Sequence, residues 1–155
     1  MNFEITVKDL PARRLAGMVI RTNMQQASVD CPAIWQAFGP RMAEFSGRGE
    51  AYGVSVMLSA DGTFDYWAAV EIQADAAVPE GLTAVDLPGG LYAIAEAPNL
   101  EQISAVYGFM YMEWPRQQSE YAVNMAAPCV EVYRGEWQPS DAIEVWVPVK
   151  VAGDQ

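Results

Sequence analysis

Three strand-like stretches of this 155-residue chain recur at one constant offset of 77 residues, without a gap. Asp9-Leu10-Pro11 open DLPARRLAGMVI, and Asp86-Leu87-Pro88 open DLPGGLYAIAEA. The same shift carries AYGVSVML, from Ala51, onto PCVEVYRG, from Pro128, and FDYWAAVEI, from Phe64, onto DAIEVWVPV, from Asp141. A single DLP match would be chance, but shared order and spacing imply two similar halves, 1–78 and 79–155, within one domain.

Each half also carries one helical pattern at the corresponding place. Ile34, Phe38, Met42 and Phe45 recur on one face of a helix expected over 31–45, with Asp30 as its cap, Pro32 in its first turn and Gly39-Pro40 as a kink or stop. Ile103, Val106, Met110 and Trp114 do the same over 100–113, with Asn99 as N-cap, Gln102 three residues on and Pro115 as the stop. Strands are expected near 2–8, 14–21, 51–58, 64–72, 82–87, 91–97, 128–133 and 142–150. SADG (59–62) and PGG (88–90) read as hairpin turns. The expected fold is α+β: two pseudo-symmetric ββαββ modules forming an eight-stranded, mostly antiparallel sheet with two helices and a central ligand cleft.

The last strand pair carries the clearest chemistry. Side chains alternate along a strand, so Glu131 and Tyr133 share one face of PCVEVY and Val130 and Val132 take the other. In IEVWVPVK, Ile143, Val145, Val147 and Val149 form an apolar row that leaves Glu144 and Trp146 opposite. Placing Glu131, Tyr133, Glu144 and Trp146 on one wall gives carboxylates beside rings, an arrangement suited to an organic cation. The offset of 77 matches Glu144 to Trp67 and Glu131 to Val54, so the acids are not part of the repeat. Trp35 and Tyr107 are offset from the main apolar rows of their helices, and with Tyr111 they are candidates for the same pocket. Glu71 and Asp65 read as solvated strand residues.

Composition excludes several other functions. Nine Lys and Arg against twenty Asp and Glu give a formal net charge of −11, a field that repels phosphate backbones, so no direct nucleic-acid binding is expected. The chain has no His, which removes the usual metal ligand and the Ser-His and Cys-His nucleophile pairs. No metal or other cofactor is expected, and catalysis would rest on carboxylates, Tyr or Cys. Two distant cysteines, Cys31 and Cys129, read as free thiols rather than a disulfide framework. The opening MNFEITVKDL lacks a signal-peptide pattern and no stretch approaches ~20 apolar residues, so a cytoplasmic protein without membrane association is the expectation.

Taken together, LAGMVIRT, FDYWAAVEI, LPGGLYAIAEA, the helix ending in EWP, and PCVEVY followed by IEVWVPVK resemble the GyrI-like family, the small-molecule-binding domain of AraC/Rob-type and MerR-type multidrug regulators. The resemblance implies a cleft between paired ββαββ modules in which a Glu at the place of Glu131 meets cationic, aromatic, drug-like ligands. It also implies aromatic walls, carried here to Tyr133, Trp146, Trp67 and Tyr107. With no room for a helix-turn-helix and no basic patch, the chain resembles a free-standing effector-binding module. Two further functions stay open. Some members of this family hydrolyse reactive cyclopropane-bearing compounds with a pocket Glu and an aromatic hydroxyl, and gyrase-modulating members bind a basic protein partner.

Overall fold

The computed structural model describes residues 2–153. Its elements in order are β1 (Thr6–Leu10), β2 (Arg13–Asn23), α1 (Ala27–Phe38) running into a 3-10 turn (Gly39–Glu44), β3 (Ala51–Met57), β4 (Thr63–Ile72), β5 (Thr83–Leu87) and β6 (Gly90–Ala97). A second helical stretch follows, made of a 3-10 turn (Leu100–Gln102), α2 (Ile103–Gly108), a π-helical segment (Phe109–Glu113) and α3 (Trp114–Gln117). The chain ends in β7 (Tyr121–Val123), β8 (Cys129–Tyr133) and β9 (Ile143–Val151). All eight expected strands are present, joined by a ninth: β7, three residues long, pairs with the far end of β9.

Local chemistry accounts for most helix ends. Asn99 caps the second helical stretch as expected, its Oδ1 accepting from the Gln102 N–H at 3.0 Å. The first helix starts earlier than expected, at Ala27. Asn23 Oδ1 accepts from the Gln25 and Gln26 N–H groups at 3.0 Å each and turns the chain into it. Asp30 therefore lies in the first turn instead of the cap, and accepts from the Thr22 hydroxyl at 2.7 Å. Pro115 does not end the second stretch. It has no N–H for the Tyr111 carbonyl, and the helix widens into the π segment just before it, then closes in α3.

Strand order gives the symmetry. The sheet reads β1-β6-β9-β8-β3-β4-β2-β5, with every pairing antiparallel. Exchanging repeat partners (β1 with β5, β6 with β2, β9 with β4, β8 with β3) reverses that order onto itself. The halves thus trade their opening strands: β1 pairs with β6, and β5 pairs with β2. For that reason Pro88-Gly89-Gly90 is a crossover and not a hairpin turn, whereas Ser59–Gly62 does close the β3–β4 hairpin, with Gly62 at φ 92°.

The crossovers fix the curvature. Leu10 to Arg13 can reach only ~10 Å, yet β1 and β2 stand six strand spacings apart in the order, ~29 Å on a flat sheet. The sheet must roll until its edges meet. At Gly89 a Cβ would lie 2.7 Å from Ala12 N and 2.9 Å from Leu10 O, so the two crossover loops touch. Inside the roll lies a core of Leu15, Tyr52, Val54, Leu87, Tyr92, Val130, Val132 and Trp146. On the other face, α1 packs over β2 and β4, and the second helical stretch over β6 and β9.

Register refines the repeat. Ala68 and Val145 correspond at the offset of 77, and their β3 and β8 partners are Gly53 and Glu131. Glu131 therefore takes the place of Gly53 and not of Val54, a one-residue displacement confined to this strand. Gly53 and Glu131 also pair with each other across β3 and β8. The pseudo-twofold axis passes between them.

Candidate functional site

Glu131 and Tyr133 face the helices, but Glu144 and Trp146 do not share that face. Across β8 and β9, Glu131 stands opposite Val145, while Val130 opposes Trp146 and Val132 opposes Glu144. Directly paired residues project to the same side, so the four residues divide between the two faces of the sheet. Alternation within each strand was legible, but the pairing between strands was not, and a one-residue slip turns a whole strand over. Trp67, paired with Val54, also lies on the inner face.

On that inner face several charges are paired within the chain. Trp146 is buried against Tyr52 and Tyr92, with ring centroids 5.9 and 5.8 Å away. The cation over its ring, at 5.3 Å, is the chain's own Arg13. Arg13 donates to the Tyr52 hydroxyl and to Glu71 Oε1 at 3.1 Å each, so Glu71 is bridged and not simply solvated. Asp65 likewise pairs with Arg21. Glu144 pairs with Arg134 at 3.3 Å and accepts from Trp146 Nε1 at 2.6 Å.

On the helix face, three tyrosines from separate elements converge on Glu131. Tyr107 of α2 donates to Oε2 at 2.6 Å, and Tyr133 donates to Oε1. Tyr66, on β4 of the first half, approaches with its hydroxyl from across Gly53. Glycine is required there: a Cβ would lie 2.5 Å from the Tyr66 hydroxyl and 3.2 Å from Glu131 Oε1. Trp35 of α1 donates its Nε1 to the Tyr66 hydroxyl at 2.9 Å and meets the Tyr133 ring edge to face at 5.3 Å. Trp137 packs on the other side of Tyr133 at 4.9 Å. Tyr111 stacks with Tyr107 at 6.4 Å.

Of the expected site residues, the structure thus gathers Glu131, Tyr133, Tyr107, Tyr111 and Trp35, and separates Glu144, Trp146 and Trp67 from them. Tyr66, Gly53 and Trp137 were not anticipated. Tyr66 had a signal, because it belongs to the row Phe64, Tyr66, Ala68, Val70 that the helix covers.

Burial dominates the electrostatics. Loss of water pushes the Glu131 carboxyl above its ordinary range, and the hydroxyls of Tyr107, Tyr133 and Tyr66 pull it partly back. Burial and the nearby Glu131 charge hold Tyr107, Tyr66 and Tyr133 well above the usual phenol range, so all three keep their protons at neutral pH. The Cys31 thiol is pushed up to about 11, first by burial and then by Glu131. Among the described residues, none of the ion pairs involves Glu131. No cluster of potential metal ligands is found among them either. Glu131 keeps part of its surface open to solvent. The result is a carboxylate held by neutral donors within aromatic walls, with no cation paired to it among the described residues.

The paired-module α+β fold is shared with effector-binding domains. Residues 6–149 match the Cass2 family of integron-associated effector-binding proteins, and the chain belongs to that family. The transcriptional regulator BrlR of Pseudomonas aeruginosa is 27% identical over 160 residues, covering 96% of this chain. The chain spans 56% of that relative's length. Two solved structures share the fold. SAV2435 bound to tetraphenylphosphonium matches with a TM-score of 0.76 at 20% identity, over 95% of this chain and 94% of that one. The integron cassette protein VCH_CASS2 of Vibrio cholerae matches with a TM-score of 0.71 at 15% identity, over 94% and 95%. No helix among the described residues is long and apolar enough to cross a membrane.

Proposed function

We propose that the chain binds hydrophobic, aromatic organic cations on the helix side of the sheet, with Glu131 as the charge that selects them. One observation carries this reading: Glu131 is buried enough to be pushed up in pKa, yet its partners are neutral hydroxyls and not cations. A desolvated carboxylate left unpaired is costly, and a cationic ligand offsets that cost. The rings of Trp35, Tyr107, Tyr133 and Trp137 supply faces and edges for a flat or lobed ligand. The complex of SAV2435 with tetraphenylphosphonium supports the same class of ligand for this fold.

On this reading the chain is a receptor or sequestering module, and the likeness to BrlR supports a place beside transcriptional regulation. The test is a thermal-shift comparison of methyltriphenylphosphonium with neutral triphenylphosphine oxide, two compounds of nearly equal shape. The cation is expected to raise Tm at micromolar concentration and the oxide to have little effect. Equal shifts would refute charge selection.

A further inference from the structure

We infer that the tyrosine cage of Glu131 makes the site selective for cations without N–H donors, quaternary ammonium or phosphonium groups, over primary ammonium groups of equal charge. The inference rests on the cation reading above and deepens it. A carboxylate offers about four lone-pair sites. Tyr107 occupies one on Oε2 and Tyr133 occupies one on Oε1, with the Tyr66 hydroxyl near them across Gly53. The Tyr66 oxygen is itself engaged by Trp35 Nε1. About two carboxylate lone pairs are left for a ligand, one on each oxygen.

A primary ammonium brings three N–H donors and leaves strong hydrogen bonds to water behind. Inside the cage at least one of those donors would face ring carbons, and unsatisfied buried donors weaken binding. A trimethylammonium or phosphonium head has no donors to satisfy. It gains the charge of Glu131 and the ring faces without that loss. The tyrosines are therefore specificity-determining residues: by consuming about half of the hydrogen-bonding capacity of the carboxylate while leaving its charge, they bias a general cation site toward fully substituted cations.

The experiment uses the full chain and two singly charged ligands at neutral pH, (4-phenylbenzyl)trimethylammonium and 4-phenylbenzylammonium, titrated calorimetrically into wild type and Tyr107→Phe. Wild type should prefer the trimethyl compound by about tenfold, equivalent to ~1.4 kcal/mol. In Tyr107→Phe, which keeps the ring and frees Oε2, the ammonium compound should bind more tightly and the preference should shrink to about threefold or less. The change in ratio separates this role from simple ligand apolarity and from a structural role, either of which would leave the ratio as it was. Tyr133→Phe, freeing Oε1, makes the same prediction and serves if Tyr107→Phe does not fold. An unchanged ratio in the folded variants, or a wild-type preference for the ammonium, overturns the inference while leaving cation binding intact. Failure of both ligands to bind wild type overturns the cation reading itself and the inference with it.

Discussion

Glu131→Gln separates the two consequences of burying one acid. The substitution preserves shape and leaves a carbonyl for one tyrosine hydroxyl, but it removes the charge that no described cation balances. For a bound cation, losing a desolvated charge partner costs about 2–4 kcal/mol, a roughly 30- to 1000-fold weakening. The free protein should respond in the opposite sense. Because burial raises the Glu131 pKa, the folded state holds this proton more tightly than the unfolded chain does. Stability therefore falls as pH rises from the ordinary carboxylate pKa, ~4.3, through the raised folded value, and the whole cost of the charge is present above it. The Gln variant has no such cost. It should melt no lower than wild type at neutral pH, and its Tm should lose the part of the acid-side pH dependence that Glu131 supplies. Calorimetric titration with tetraphenylphosphonium and thermal melts across pH read both arms. The comparison variant is Asp75→Asn, at an exposed acid, because Glu71 is committed to Arg13; a surface charge should change affinity by only ~0–1 kcal/mol. Wild-type affinity in Glu131→Gln, or equal weakening in both variants, would mean diffuse attraction to an acidic protein and would refute the site.

Two other substitutions test the packing around this acid. Gly53→Ala forces the Tyr66 hydroxyl out of place, since the new Cβ would meet it at 2.5 Å; a loss of about 1–3 kcal/mol in chemical denaturation is expected, together with weaker cation binding, and an unperturbed Tm would show that Tyr66 is free to move aside. Arg13→Ala removes the cation stacked on Trp146 and the bonds to Tyr52 and Glu71. It should cost about 1–3 kcal/mol of stability with cation affinity unchanged in the folded protein, and a large drop in affinity would place the ligand inside the roll instead of under the helices.

Much of this fold was legible because period and offset are properties of one chain read in order. The apolar row Ile143, Val145, Val147, Val149 and the capping pair Asn99 and Gln102 needed no knowledge of neighbours. What failed depended on how distant segments meet. Glu144 and Trp146 fell on the wrong face because register between β8 and β9 is set by the hairpin and by packing, not by alternation. The hairpin read at PGG became a crossover because β5 finds its partner in β2, across the symmetry axis. Strand β7 is too short to show a period, and it forms only because β9 extends past the rest of the sheet. The Trp146 ring, expected to face an organic ligand cation, is instead covered by Arg13, and no local pattern links residues this far apart.

The position of Glu131 explains why the repeat had to break there. A pseudo-twofold axis brings each residue near it against its own counterpart, and the pair on this axis is Gly53 with Glu131. Had both halves kept the acid, two carboxylates on directly paired residues would share one desolvated site, and one would remain protonated to avoid the repulsion. Such a dyad suits proton transfer better than it suits a full negative charge held for a ligand. Glycine on one side leaves a single carboxylate and opens the space that the Tyr66 hydroxyl enters. The donors are equally unrepeated: Tyr66 corresponds to Ile143 in the second half, and Tyr133 to Ser55 in the first. Symmetry places the site where the modules join, and the departures from symmetry give it one charge and one set of donors.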